Sequence, residues 1–160
     1  VAPRYDRILL DTGAGISDVV LYAVSLADEV LVLATPEPTA MTDAYATIKV
    51  LATQQQRRAI RLVVNQVSQA GEGRAIRNQL QLVLDRFVVP QIEALAEPLK
   101  LDLLGEIPID PNVREAVQKR QLLLETMPGC PASQALVGVA MRLAATTGAM
   151  PSAIGLARPA

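Results

Sequence analysis

The sequence predicts an α/β protein with a predominantly parallel sheet and helices on both faces. Three observations predict it. Short aliphatic runs alternate with helix-length amphipathic segments. One of the runs, EVLVLA, is apolar without interruption after its first residue, as strands covered on both faces are. No hairpin turn joins any two of them, so each connection must cross over the sheet.

Each element has its own local cause. RILLD (7–11) is the first strand candidate, and Ser17 or Asp18 can cap a helix that runs to about Ala27. EVLVLA (29–34) is the second strand. The prolines of TPEPT (35–39) argue against an early helix, so Thr39 or Thr42 is expected to start one that ends near Gln56. Ala46, Ile48, Val50 and Leu51 supply its apolar positions. IRLVVNQV (60–67) is the third strand, and QAGEG (69–73) a glycine turn. From Arg74 to Val88, Ile76, Leu80, Val83, Leu84 and Phe87 recur at helical spacing. Residues 89–99, with Pro90 and Pro98, form a short extra helix or a loop. LDLLGEIPI (101–109) is the fourth strand. Asp110 followed by Pro111 opens a helix to about Gln121, because proline suits the first helical position. The PGCP turn (128–131) leads to a last helix over 132–145, and a small-residue, Pro/Gly-rich stretch is expected to be a flexible tail over 146–160.

Composition narrows the function classes. The chain has 160 residues, with 15 basic and 16 acidic side chains, so net charge points to neither a nucleic-acid coat nor an acidic tail. Phe87, Tyr5, Tyr22 and Tyr45 are its aromatic residues, which leaves the core to Leu, Val, Ile and Ala. A single cysteine, Cys130, excludes an internal disulfide and suggests a reducing compartment. No apolar run reaches the roughly 18 to 20 residues that span a bilayer, and no signal peptide is recognisable. The expected location is cytoplasmic.

In a parallel sheet, ligands sit outside the carboxyl ends of the strands. Asp11 ends the first strand candidate. Its carboxylate can hold a Mg²⁺-bound water beside nucleotide phosphates, or it can simply cap the next helix. Gly13 and Gly15 would let the backbone approach a phosphate closely. Asn65 offers donor and acceptor to a purine edge, or satisfies its own turn. Pro108 and Asp110 form a tight turn whose acid is also a helix cap. Glu37 stands between two prolines, stiffened and exposed.

Taken in order, these segments resemble the MinD/ParA group of deviant P-loop ATPases, and most closely its FlhG/FleN-type (YlxH-like) flagellar branch. YDRILLDTGAGISD resembles the switch II segment of that branch. ADEVLVLATPEPTAMTDAYATIKVL resembles its next strand, loop and helix. VVNQV resembles the strand that carries the adenine-contacting asparagine. LGEIPIDPNVREAV and LLLETMPGCPASQAL resemble the Pro-x-Asp loop and the helix beyond. The resemblance spans roughly residues 4 to 142, and the TPEPT-x-x-TDAY run is its most specific part.

The resemblance implies ATP and Mg²⁺ as cofactors of the full-length protein. It makes Asp11 the acid near Mg²⁺, through a water, and Gly13 and Gly15 the turn that reads the γ-phosphate. Asn65 would bind adenine, with Pro108 and Asp110 lining the base from the other side. Glu37, Thr39 and Asp43 match positions at the ATP-dependent dimer face and partner surface. The implied function is an ATP-dependent switch that regulates flagellar number and placement. Its implied partners are a second copy of itself, a flagellar signal-recognition-type GTPase, switch-complex components or a transcription activator. Residues 1–130 would be the C-terminal part of the ATPase domain, and 131–145 its C-terminal helix.

The chain departs from that family in four places. Asn65 is followed by Gln66 where the family carries Lys or Arg. Residues 88–99 look like an insertion. The family's last helix is often a basic amphipathic membrane anchor, yet residues 132–145 carry only Arg142, with Leu136, Val139, Met141 and Leu143 as an apolar face. That helix is expected to pack on the body, although the periphery of the inner membrane stays open to it. The largest departure concerns the phosphate cradle, a glycine-rich loop with lysines. The lysines here are Lys49, Lys100 and Lys119, and none follows a glycine. The expectation is therefore that the cradle lies upstream of Val1 in a longer ATPase, and that these 160 residues alone are inactive.

Other functions compete. A nucleotide-free interaction module could keep the same fold, and a ParA-like partition or division-site ATPase would share the motifs. For DNA, Arg57, Arg58, Arg61, Arg74 and Arg77 could form a basic patch, but the chain has no arginine-rich tail, and DNA is the weaker expectation. A Rossmann-type enzyme fits poorly: GAGISD lacks the third glycine of the dinucleotide fingerprint. The chain has no histidine, the commonest general base. Cys130, between two prolines, reads as a turn residue rather than a nucleophile.

Overall fold

A computed structural model describes residue 5, residues 7–92 and residues 98–146. The expected tail from residue 147 onward, and residues 93–97 of the expected insertion, lie outside the described residues. In chain order the elements are helix α1 (Asp18–Ser25), strand β1 (Leu31–Ala34), helix α2 (Pro38–Gln54), strand β2 (Ala59–Val67), helix α3 (Glu72–Phe87), strand β3 (Lys100–Pro108), and helices α4 (Pro111–Lys119), α5 (Leu123–Thr126) and α6 (Pro131–Thr146). A short 3-10 turn at Val89–Gln91 occupies the start of the expected insertion.

The strands form one parallel sheet in the order β1-β2-β3. One face carries the larger core. Ile48 and Leu51 of α2 and Ile76, Leu80 and Leu84 of α3 meet Val30, Val32, Ile60, Leu62, Val64 and Leu101 there. Each such fully buried aliphatic side chain contributes about 1.5–3 kcal/mol. The other face carries α6, whose Ala132 and Val139 pack on Val63, Leu104 and Ile107 with Leu136 and Leu143 beside them. Three of the four apolar residues expected on the last helix thus lie on or beside the sheet, and Met141 remains exposed. Among the described residues no helix is long and apolar enough to cross a membrane.

Two local expectations are corrected, and one element was not foreseen. RILLD forms no strand: residues 7–11 pair with no strand among the described residues, and Leu9 is 83% exposed. Strand propensity forms a strand only where a neighbouring edge accepts it. Here Arg7 instead donates from Nη1 to the carbonyl of Leu143 at 3.1 Å and from Nη2 to that of Ala144 at 2.8 Å. Second, α2 begins at Pro38 rather than after it. Proline at the first helical position lacks only an N–H that the helix leaves unpaired. The unforeseen element is a one-turn helix, α5, which follows α4.

Among the described residues, nothing packs on the α6 face of the sheet over β1. Leu33 pairs in register with Val63, so the two share a face, yet Val63 lies under α6 while Leu33 is 61% exposed. Leu31 points the same way and is also exposed. The sequence expected β1 to be covered on both faces; among the described residues only its α2 face is. On that covered side, α1 is held to the end of α2 by polar contacts. Gln55 Nε2 donates to Leu21 O at 2.6 Å, and Arg57 Nη2 to Val24 O at 2.8 Å and Ala27 O at 2.6 Å.

Candidate functional site at the carboxyl ends of the strands

Parallel pairing places the ends of β1, β2 and β3 at one end of the sheet. Beyond β1 come Thr35 and the start of α2. Glu37 is the residue before the first turn of α2, and Glu37, Thr39 and Asp43 are all exposed. Thr39 and Asp43 stand four residues apart and so share a helix face. The Thr35 hydroxyl is buried, with no hydrogen-bond partner among the described residues.

At the end of β2 the ladder breaks. The register shifts between Asn65 and Val67, and Gln66 takes φ 62°, the left-handed region. A bulge of this kind re-aims the side chain beside it. Asn65 Oδ1 accepts the Gln66 N–H at 2.9 Å, which leaves its Nδ2 donor without a bond among the described residues. The Ile109 N–H donates to Val67 O at 3.0 Å and ties this bulge to the Pro108–Asp110 loop. Asn65 and that loop are therefore neighbours, as a shared base site requires.

Asp110 is buried and fully engaged. Oδ1 accepts the Asn112 N–H at 2.9 Å and Asn112 Nδ2 at 2.7 Å, and Oδ2 accepts the Ala132 N–H at 3.0 Å. One carboxylate thus caps α4 and meets the first turn of α6. The backbone N–H of Ala132, then that of Asn112, hold its pKa down at about 2, below the ordinary 3.8. The folded value is the lower one, so its stabilising contribution is complete above about pH 3.8 and is lost as pH falls through about 2. Asp110→Asn should flatten the acid limb of stability against pH in that window. A urea series from pH 2 to 5 checks it; an unchanged acid limb would contradict the role.

Two residues that sequence reasoning did not single out shape the same end. Glu106 Oε1 accepts the Gly71 N–H at 2.7 Å and Oε2 the Gly73 N–H at 2.8 Å, so a β3 side chain closes the start of α3. Gly71, at φ 87°, makes the left-handed turn before that helix. Ser133 is fully buried: its hydroxyl donates to Met127 O at 2.8 Å and lies 3.2 Å from Cys130 Sγ. The glycines of QAGEG were a visible signal for the turn. Nothing local pointed to Glu106, 35 residues on from Gly71.

Asp11, Gly13 and Gly15 lie in an exposed loop before α1. Asp11 makes no hydrogen bond or ion pair among the described residues. A side chain at Gly13 or Gly15 would meet no atom within 4 Å, and Gly15 sits at φ 96°. The loop is open to approach on its own side. No three His, Cys, Asp or Glu side chains cluster among the described residues. A lone carboxylate such as Asp11 could hold Mg²⁺ through one of the ion's waters, with phosphate needed as a direct ligand. The loop supplies no lysine for the phosphates.

A parallel sheet flanked by helices, with polar loops at its carboxyl ends, defines the open α/β class, whose ligands bind at that end. Within that class the chain belongs to the ParA family of P-loop NTPases: the family model, described as NUBPL iron-transfer P-loop NTPase, matches residues 3–144. It is 36% identical over 143 residues to the antiactivator FleN of Pseudomonas aeruginosa, covering 89% of this chain and 48% of that one. To the flagellum site-determining protein YlxH of Helicobacter pylori it is 32% identical over 140 residues, covering 88% and 44%. The MinD cell division protein of Aquifex aeolicus superposes with a TM-score of 0.66 at 27% identity, over 94% of this chain and 57% of that one. The same match extends to MinD in its complex with MinC, with 94% and 55% covered. The chain spans about half the length of the curated relatives it matches.

Proposed function

We propose that the protein is an ATP-dependent switch of the MinD/ParA type that regulates flagellar number and placement through nucleotide-controlled dimerisation and partner binding. The observation that carries this reading is the pairing of Asn65, with its unspent amide donor, and the Pro108–Asp110 loop at the carboxyl ends of the strands. Asn65 contacts the base, Pro108 lines it, and Asp110 holds the loop in shape. Asp11 stands beside Mg²⁺, and the Gly13–Gly15 turn follows the γ-phosphate. Bound ATP supplies a removable charge that such a turn can sense.

The phosphate cradle is contributed from outside these 160 residues. Support comes from the bare apolar surface over Leu31 and Leu33 and the exposed Ile8, Leu9 and Leu10. An exposed strand edge with apolar flanks calls for a covering sheet. The likeness to FleN and YlxH supports the flagellar role over division-site or partition control. Partners follow from it: a second copy, a flagellar signal-recognition-type GTPase, switch-complex components or a transcription activator. The protein would act in the cytoplasm, at or near the inner membrane.

The surface of Glu37, Thr39 and Asp43 is the proposed dimer and partner face. Asp43→Arg should weaken the ATP-dependent dimer of the full-length protein about tenfold or more. Sedimentation with and without Mg-ATP checks this. A dimer that forms equally without nucleotide would favour the second reading, a nucleotide-free interaction module; the lack of any lysine following a glycine is the observation behind it.

A further inference from the structure

We infer that the outer edge of β3 is a docking slot for an extended acidic segment of a partner protein. A cleft of about 490 Å³ lies along that edge, lined by Arg74 and Arg77 of α3, Arg142 of α6, and Leu103 and Gly105 of β3. Its walls are helices from opposite faces of the sheet. Among the described residues β3 pairs with β2 alone, so its other edge offers backbone groups to a further strand.

The first part of that edge is already closed from within. The Lys100 N–H turns inward to Arg58 O at 2.8 Å, so Leu101 faces outward. There Gln81 imitates a neighbouring strand: its Oε1 accepts the Leu101 N–H at 2.9 Å and its Nε2 donates to Leu99 O at 2.9 Å. Two residues further on, the strand period turns the Leu103 N–H the same way, into the cleft. No side chain meets it among the described residues.

The charges at the cleft are unequal in availability. Both carboxylate oxygens of Glu106 are engaged by Gly71 and Gly73, and Asp102 pairs with Arg61. Arg74 and Arg77 make no hydrogen bond or ion pair among the described residues, and Arg77 Nε is buried without a partner. The exposed parts of these two guanidinium groups are thus free to take a carboxylate from a partner. An extended acidic peptide supplies both missing partners at once. Its backbone pairs with the Leu103 edge, and its carboxylates reach the arginines, bidentate where the fork allows. A free anion would satisfy the arginines and leave the edge open.

The test uses the full-length natural protein and a fluorescein-labelled octapeptide of alternating Glu and Val, with a Lys–Val counterpart, inorganic phosphate and a random DNA duplex as controls. The acidic peptide should bind by anisotropy, and the Lys–Val peptide should not. Arg77→Gln and, separately, the more exposed Arg74→Gln should each weaken binding about tenfold, the equivalent of one charge-assisted hydrogen bond. Hydrogen exchange should slow in the β3 segment around Leu103. Failure to bind, binding unaffected by either substitution, or protection elsewhere in the chain would overturn the inference. So would the same protection from phosphate alone, which would make the slot an anion site. Arginine-dependent binding of the duplex in place of the peptide would reassign it to nucleic acid.

Discussion

Asp11→Asn is expected to lower Mg²⁺-dependent ATP turnover of the full-length protein about 10- to 100-fold, the usual loss when a group orienting a metal's water is removed. Its effect on folding should be small. Asp11 is exposed and makes no hydrogen bond or ion pair among the described residues, and substitutions at such positions stay within roughly ±0.5 kcal/mol. Asparagine keeps the shape and removes the charge, so the comparison isolates the carboxylate's pull on a magnesium-bound water. Phosphate release measured over a Mg²⁺ titration, beside a thermal melt of each protein, checks both halves. Unchanged turnover would remove Asp11 from the site.

Gly105→Ala is expected to destabilise the chain by about 1–3 kcal/mol, the typical cost of forcing extra volume into a packed site. Gly105 is buried in β3 directly under α6. A Cβ there would lie 2.7 Å from Val139 Cγ2, with Arg142 Nη2 at 3.5 Å on the same side. The collision is with a buried β-branched side chain, which has little freedom to step aside. Relief would come by lifting α6 off Val63, Leu104 and Ile107. Urea unfolding monitored by circular dichroism gives the loss, and a paired Val139→Ala substitution should recover part of it. Wild-type stability in the single variant would mean that α6 does not dock as described.

Much of the fold was legible because periodicity and punctuation agreed. IRLVVNQV, the glycine turn and the Arg74–Val88 pattern lie within two residues of β2 and α3. The Asp110–Pro111 start of α4 was readable from capping chemistry alone. What was not legible depended on distant partners. RILLD has the composition of a strand, but only an available edge makes one. LLET is a single turn and carries no period to detect. Covering of the sheet could not be read either, since Leu33 and Val63 look alike in sequence and differ only in what lies above them. At the candidate site, the sequence pointed to Asn65 and the Pro108–Asp110 turn, which lie together at the carboxyl ends of β2 and β3. The second duty of Asp110, toward Ala132 in α6, rests on a contact 22 residues away that no local pattern announces.

The central claim is that these residues supply the base-contacting loops and the phosphate-sensing turn of a ParA-type ATPase whose phosphate cradle is contributed from outside them. Titrating Mg-ATP against residues 1–160 and against the full-length natural protein, by calorimetry under the same conditions, tests it most directly. The account predicts saturable binding by the full-length protein and none resolvable for the 160-residue chain at millimolar nucleotide. Equal affinity for the two, or no binding by either, would contradict it.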